Sequence, residues 1–192
     1  MSDQNEITVR VVRSKRKTIG LHITKDGNAE VRAPYYATKG EIESFIRENT
    51  EWIRKHAAQA RERAQIAEQT PKLSQTELNH LVRVARKVFA ERVAYYAPLL
   101  GVSYNKITVR KQRTRWGSCT KDGNLSFNAL LVLAPPEVLD SVVVHELCHR
   151  LEMNHSPRFY AQIDRVFPDY KKWDKWLKKN GDALLNRLPS DQ

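Results

Sequence analysis

Two separate stretches of the chain alternate between apolar and polar residues, and this period of two predicts short β-strands. The first stretch covers residues 6–33 and the second covers residues 105–133. Each contains the letters KDGN, at 25–28 and at 121–124, which are typical of a hairpin turn whose Gly tolerates positive φ. In the second stretch we expect KITVRKQRTRWGSC to form one strand and LSFNALLVL to form the return strand.

Helical periodicity occupies most of the remaining chain. Thr38 with Glu41, and Ser74 with Glu77, have the spacing of capping boxes, so each pair predicts the start of a helix. We expect the first of these helices to continue without a break through residues 42–69.

The segment TPKLS at 70–74 is the best candidate for a linker. It predicts an N-terminal region, residues 1–70, with the first β-region and a helix, and a second region, residues 71–192, with everything that follows. In a chain of 192 residues we expect the two regions to form one compact unit. The proline pair at 135–136 suits the first turn of a further helix, which we expect to run to about Glu152.

The segment VVVHELCHRLEMNHSPRF, at 142–159, places three histidines and a glutamate in a stretch that otherwise has the composition of a buried core. His145 and His149 are four residues apart, so a helix brings both to one face, close enough to bind one ion. Glu146 lies about 100° round the helix from His145. Two imidazoles beside a carboxylate are the chemistry of an H-E-x-x-H zinc site, in which the carboxylate acts as general base. Zinc would satisfy polar groups whose burial otherwise costs several kcal/mol each.

A catalytic zinc ion takes three protein ligands and leaves one position open. His155, six residues after His149, is the preferred third ligand, because Asn154 can adopt the left-handed conformation that turns the chain back. No glutamate follows Glu152, which excludes a downstream Glu ligand, and Asp164 remains the alternative. The sequence therefore predicts a Zn²⁺ site with three histidine ligands.

Charge and cysteine content restrict the class of protein further. The net charge of +11 implies attraction to anionic partners such as nucleic acid or nucleotides, although a basic enzyme without such a partner has the same signature. The chain has no run of about 18 apolar residues and no apolar N-terminal stretch, so we expect neither a membrane span nor a secretory signal. Two cysteines, Cys119 and Cys148, are too few for a disulfide scaffold, so we expect reduced thiols and a cytoplasmic protein.

Residues 106–121 contain six basic residues and no acidic one. Arg113 and Arg115 are predicted to share one face of a strand near the metal, where arginines would suit phosphate recognition. A solvated basic face is the commoner explanation of such a pattern. We add Asn128, from the return strand, as a third candidate substrate contact. Arg115 and Tyr160 are candidates for stabilising an oxyanion, although core packing is favoured for Tyr160.

The remaining conspicuous residues are interpreted as structural. Trp116 and both cysteines are assigned to core packing. The C-terminal YKKWDKWLKK interleaves aromatic residues with lysines, as nucleic-acid binders do. Tyr170, Trp173 and Leu177 nevertheless fall on one helical face, which favours an amphipathic helix packed on the core.

Several segments together resemble the YgjP-like metallopeptidase-domain family, which is related to the SprT-like zincins. The segments are RWGSC at 115–119, LSFNALL at 125–131, NHSPRFY at 154–160, the proline pair before VVVHELCH, and the N-terminal RSKRKTIGLHI, DG and VRAP. The resemblance implies an α+β fold with a zincin-like core, which has an HExxH helix and a small β-sheet. It also implies a small β-rich region and a helical pair before that core.

The same resemblance implies zinc on His145, His149 and His155, with Glu146 as catalytic base. The sequence thus predicts a zinc-dependent metallohydrolase, and a metallopeptidase is favoured, with its extended substrate along LSFNALL as edge strand. One alternative is a nucleotide pyrophosphohydrolase that converts UTP to UMP and diphosphate at the same metal site, because such an activity has been attached to the family. The other is a nucleic-acid-associated SprT-like protease, with weak contact through the basic surface.

Overall fold

The computed structural model describes residues 7–189, and the chain divides into two compact units between Gln69 and Thr70. The first unit contains β1 (Val9–Ser14), β2 (Gly20–Ile23), β3 (Ala29–Pro34), α1 (Lys39–Glu48) and α2 (Thr50–Gln69). The second contains α3 (Gln75–Leu100), β4 (Ile107–Arg110), β5 (Gly117–Cys119), β6 (Leu125–Asn128), a short 3₁₀ helix (Ala129–Leu133), α4 (Pro136–Cys148), α5 (Pro157–Val166) and α6 (Tyr170–Leu185). This mixture of helices and small sheets confirms the predicted α+β class.

Each unit holds a three-stranded sheet, and the two sheets have the same topology. The third strand in sequence is central, parallel to the first and antiparallel to the second. The two KDGN turns join the antiparallel pairs, and Gly27 and Gly123 adopt φ values of 78° and 81°. Such left-handed conformations suit glycine because it has no Cβ. Both predicted hairpins are therefore confirmed.

Both predicted capping boxes are formed. The side chain of Thr38 accepts from the backbone N–H of Glu41, and the side chain of Ser74 accepts from that of Glu77. In each box the glutamate in turn accepts the backbone N–H of the cap residue, at 2.7 Å. These reciprocal bonds satisfy donors that the first turn of a helix leaves free, and they begin α1 and α3.

The expectation of one unbroken helix after Thr38 is wrong, because the helix is interrupted at Asn49. The side-chain amide of Asn49 donates to the carbonyl of Phe45 at 2.8 Å. The hydroxyl of Thr50 donates to the carbonyl of Ile46 at 3.1 Å. Side-chain bonds of this kind compete with the helical backbone ladder. The break separates α1 from α2.

The alternating stretch before the second KDGN turn forms two short strands instead of one. Residues 111–116 between β4 and β5 are a loop, so Arg113 and Arg115 do not share a strand face as predicted. The side-chain amide of Asn128 donates to the carbonyls of Gln112, at 2.6 Å, and Arg115, at 3.3 Å. The carbonyls of Gln112 and Arg115 thus bond to the Asn128 side chain and not to a neighbouring strand.

The prediction that LSFNALL forms an edge strand is also wrong. Its first residues form β6, the central strand of the sheet, and the segment continues into the 3₁₀ helix. The side-chain oxygen of Asn128 accepts the backbone N–H of Leu130 at 3.1 Å and caps this 3₁₀ helix. The two edges of the sheet are β4 and β5.

Helix α4 is the most buried helix of the second unit, as its apolar sequence predicts. Its neighbours in the core include Phe89 of α3, which stacks on Phe127 of β6 with ring centroids 4.5 Å apart. A bidentate ion pair at 2.6 Å joins Arg92 of α3 to Asp140 of α4. The helix ends at Cys148, earlier than the expected Glu152. Within residues 7–189, no helix is long and apolar enough to cross a membrane.

Candidate metal centre

The last turns of α4 carry three of the predicted site residues. His145 and Glu146 lie within the helix, and His149 is its C-terminal cap residue, still in a helical conformation. Pro136 starts the helix, at a position where its missing N–H has no helical partner to lose. Glu146 is buried, with 6% of its surface exposed. The H-E-x-x-H segment therefore lies at the buried end of a rigid helix.

The chain turns back after α4 and brings a third histidine to the first two. His155 lies immediately before α5, whose N-cap residue Ser156 accepts the backbone N–H of Phe159. The ligand atoms of His145, His149 and His155 all lie within 4.8 Å of one another. The Nε2 atoms of His145 and His155 are 3.0 Å apart. Among the described residues, Asp164 is not part of this group.

Phe159 holds the three rings in place. It is fully buried, and its ring centroid lies 4.9, 4.7 and 4.8 Å from those of His145, His149 and His155. Sequence reasoning missed this residue. Its only signal was an aromatic residue in the first turn of the helix that follows His155.

Hydrogen bonds to the Nδ1 atoms orient two of the imidazoles. His149 Nδ1 lies 3.2 Å from the carbonyl oxygen of Glu152, and a carbonyl only accepts, so this nitrogen carries the proton. His145 Nδ1 lies 2.9 Å from the hydroxyl of Tyr170, which can accept in the same way. Protonation at Nδ1 leaves the Nε2 lone pairs free to ligate a metal. The sequence pattern assigned Tyr170, on α6, to core packing and did not indicate this contact with His145.

These three histidines fit a divalent transition metal such as zinc. Zn–N bonds are about 2.0–2.1 Å long, so nitrogens this close can share one ion after small side-chain adjustments. Burial, followed by the neighbouring His149 and His155, lowers the pKa of His145 to about 3. Burial also lowers the pKa of His149. Both rings are therefore neutral at physiological pH, which is the form that binds metal.

Glu146 is next to this group and is held in a tight space. Burial raises its pKa to about 8, and the positive charge of Arg115 opposes that shift. Gly117, the first residue of β5, is so close that a Cβ added to it would lie 2.7 Å from Cγ of Glu146. A hydrogen atom is the only side chain that fits at residue 117. The glycine of RWGSC thus serves the site, a role that sequence reasoning did not assign.

The guanidinium of Arg150 fixes the hairpin that carries Gly117. It donates to the carbonyl of Ser103 at 3.0 Å and to the carbonyl of Lys121 in the KDGN turn. It also lies against Gly123, where an added Cβ would meet Cζ of Arg150 at 3.1 Å. Because Arg150 follows His149 directly, these contacts couple the position of β5 to the end of α4.

A cleft of about 190 Å³ opens beside Glu146 and His145. Its walls come from the 111–117 segment and from α4 and α6, and they consist of Trp116, Gly117, Ser141, Val142, His145, Glu146, Tyr170, Asp174 and Leu177. Apolar side chains therefore line the cleft together with two carboxylates. Among residues 7–189, no arginine or lysine lines it.

The predicted substrate contacts lie at different depths. The guanidinium of Arg113 donates to the carbonyls of Leu188 and Pro189, near the C-terminal end of the described chain. Arg115 is exposed and acts electrostatically on Glu146. Asn128 is fully buried and bonded to backbone groups, so contact with substrate would require these bonds to be exchanged. Substrate binding by these three residues stays a prediction.

Cys148 and Tyr160, for which core packing was predicted, differ in their burial. Cys148 is fully buried in the core, and burial raises the pKa of its thiol to about 12. Tyr160 is 39% exposed, with its ring centroid 6.4 Å from that of His155. Core packing, which was favoured for Tyr160, does not describe a side chain this exposed.

The chain is similar to one protein family and to solved structures. No curated protein matches the sequence significantly. Among solved structures, the crystal structure of the metallopeptidase zymogen of Pyrococcus abyssi abylysin matches with a TM-score of 0.43 and 19% identity, over 47% of this chain and 93% of that one. The sequence matches the family described as YgjP-like, metallopeptidase domain, over residues 17–82 and 68–180. These matches span most of the chain, which therefore belongs to the YgjP-like family and carries its metallopeptidase domain.

Proposed function

We propose that this protein is a zinc-dependent peptidase in which His145, His149 and His155 bind the metal and Glu146 is the general base. The observation that carries the proposal is the convergence of three histidines within 4.8 Å of one another, one of which, His145, lines a cleft together with the buried carboxylate of Glu146. When bound, the ion supplies a Lewis acid that polarises the scissile carbonyl, lowers the pKa of water and favours the ionised form of a nearby carboxylate.

Glu146 moves the proton in this reaction. It accepts a proton from the attacking water as the bond from water oxygen to carbonyl carbon forms, and it returns that proton to the nitrogen as the C–N bond breaks. In the metal-free protein burial raises the pKa of Glu146, and a bound cation would oppose that shift, so the carboxylate would be ionised and able to accept a proton. Gly117 and the helix restrict where the carboxylate can lie, so it is positioned before substrate binds.

An edge strand beside the centre suits an extended peptide. The strand next to Glu146 is β5, and it pairs with β6 on one side only. A substrate backbone added to β5 would be read by main-chain hydrogen bonds, with little demand on its sequence. Gly117 at the start of β5 would set the scissile bond near Glu146.

The charge of the cleft favours peptides over nucleotides. A triphosphate needs cations around it. Apart from histidine and tyrosine, the ionisable side chains that line the cleft are those of Glu146 and Asp174, and both are acidic. Arg113, one of the two arginines that suggested phosphate binding, donates to backbone carbonyls. Nucleotide pyrophosphohydrolysis remains the alternative that the experiment must address.

The test compares Glu146→Gln with wild type and with Glu137→Gln, which removes an exposed carboxylate in the first turn of the same helix. Each zinc-loaded protein is incubated with a casein-like protein and, separately, with UTP. We expect casein cleavage by wild type and by Glu137→Gln, and a loss of about 100-fold or more in Glu146→Gln with unchanged zinc content. UTP hydrolysis that disappears in Glu146→Gln, without proteolysis by wild type, would replace peptidase by pyrophosphohydrolase.

A further inference from the structure

A basic groove lies between α3 and the edge strand β4, and its lining shares no residue with that of the cleft beside Glu146. Its volume is about 640 Å³. The groove is formed chiefly by Arg83 and Arg86 of α3, by Arg110 and Lys111 at the end of β4, and by Val82 and Val109 between them. Among the residues that the structure describes, four cationic side chains and no carboxylate line the groove.

The four cations have no role in holding the fold together. Within residues 7–189, none of these four side chains has a hydrogen bond or an ion pair, and all four are exposed. Arg92, further along the same helix, differs because it forms a bidentate pair with Asp140. Four like charges around one groove repel one another unless a partner neutralises them. The charge of the groove is therefore available to a partner outside the fold.

We propose that the basic groove binds the sugar–phosphate backbone of a nucleic acid. Three of its four cations are arginines, whose planar guanidinium can contact a phosphate through two parallel hydrogen bonds. The chain's net charge of +11 adds a long-range attraction to a continuous polyanion. The other described residues that line the groove are Asn79, Val82 and Val109, and none of them has an aromatic ring on which a base could stack, so we expect phosphate contacts to dominate and binding to depend little on sequence.

The basic groove is a better site than the lysine-rich helix α6. Tyr170 and Leu177 of that helix are buried, and Trp173 and Trp176 pack against the same core. Tyr170 is buried and the two tryptophans are partly buried in this packing, which leaves less ring surface for a base to stack on. This packing confirms the interpretation of α6 as an amphipathic helix docked on the core. The lysines of α6 therefore provide a matched control.

The experiment measures binding of a fluorescein-labelled duplex DNA of mixed sequence by fluorescence polarisation at several salt concentrations. With four phosphate contacts, the logarithm of the association constant should fall with the logarithm of salt concentration with a slope of about −3.6. Arg83→Gln/Arg86→Gln should reduce the magnitude of that slope by about 1.8 and weaken binding about tenfold or more at 100 mM salt. The second pair, Arg110→Gln/Lys111→Gln, should give the same result and covers the case in which the first variant misfolds.

Lys175→Gln/Lys179→Gln on α6 removes the same charge from exposed lysines outside the groove and should leave the slope nearly unchanged. Equal losses in the groove and α6 variants would show that net charge alone drives binding and would overturn the proposal. Failure of wild type to bind at 50 mM salt would do the same. Displacement of the DNA by polyglutamate at equal charge concentration would assign the groove to an acidic protein instead. Binding requires no turnover, so these outcomes are independent of the peptidase proposal.

Discussion

The α-carbon of Gly117 faces the carboxylate of Glu146 so closely that a β-carbon at residue 117 would lie 2.7 and 2.8 Å from Cγ and Cδ of the glutamate. Real β-carbons essentially never come this close to another heavy atom. The backbone of Gly117 is not left-handed, so conformation alone does not require glycine there. The requirement comes from Glu146, which fills the space that a side chain would occupy.

Gly117→Ala should therefore displace the carboxylate and reduce peptide cleavage by about 100-fold, the lower range of what a misplaced general base costs. Zinc content should not change, because the three atoms nearest to a β-carbon at residue 117 all belong to Glu146 and none to a histidine. Turnover and bound zinc are measured on the same preparation. Gly40→Ala is the control, since a β-carbon at residue 40 meets nothing within 4 Å. Normal turnover in Gly117→Ala would contradict the role of Glu146 as a fixed base.

The hydroxyl of Tyr170 orients His145, so its removal should weaken the metal site. Tyr170→Phe keeps the ring that packs beside His145 but deletes the 2.9 Å hydrogen bond to Nδ1. We expect zinc affinity to fall about 10- to 100-fold, the usual effect of losing a partner of a metal-ligating histidine. Competition with a chromogenic chelator measures the affinity. Tyr95→Phe, at an exposed tyrosine of α3, should bind zinc like wild type. Equal affinity in both variants would exclude this positioning role.

Local patterns predicted the parts of the site that depend on neighbours in sequence. The i, i+4 spacing of His145 and His149 identified the helix face, and the two capping boxes identified where α1 and α3 begin. The KDGN turns could be predicted because a turn that needs a positive φ favours glycine, and the glycine is seen in the sequence. In each of these cases the deciding contact joins residues at most five positions apart.

The features that sequence reasoning missed depend on contacts distant in sequence. Alternation shows which residues share a face of a strand, but it does not show which strand lies beside which, so LSFNALL was misplaced at the edge of the sheet. Gly117 and Glu146 are 29 positions apart, and His145 and Tyr170 are 25 apart. The two KDGN turns predicted two hairpins, but they did not predict that both sheets have the same strand order. Strand order depends on contacts distant in sequence and leaves no local pattern.

His155 should be the third metal ligand, and its loss should weaken zinc binding more than loss of any residue that only orients a ligand. His155→Ala removes one of three nitrogens that lie within 4.8 Å, so we expect a fall in zinc affinity of about 100-fold or more. Asp164→Asn tests the alternative ligand and should have no effect. His80→Ala, on an exposed part of α3, controls for histidine loss. Full zinc retention by His155→Ala with a loss in Asp164→Asn would move the third ligand to Asp164.

The metal-free protein should show a pH dependence that identifies the buried Glu146. Burial raises its pKa from an ordinary 4.5 to about 8, so between these values the folded state holds a proton that the unfolded state has released. The free energy of unfolding must therefore fall as pH rises through this window. His145, whose pKa burial lowers from 6.5 to about 3, has the opposite effect, because its contribution is lost as pH falls below 6.5.

Between pH 7 and 8 histidines of the unfolded chain are mostly neutral, so the effects of His145 and His149, whose pKa values burial lowers, are nearly complete, and Glu146 dominates the change in stability among these three groups. Chemical denaturation in the presence of a chelator should show the free energy of unfolding decreasing by up to about 1.4 kcal/mol per pH unit in this interval. Glu146→Gln cannot ionise and should be nearly flat over the same interval, while Glu137→Gln should retain the wild-type slope because its carboxylate is exposed. Identical slopes in wild type and Glu146→Gln would mean that Glu146 ionises freely in the folded protein, and the buried base inferred from the cleft would then have to be abandoned.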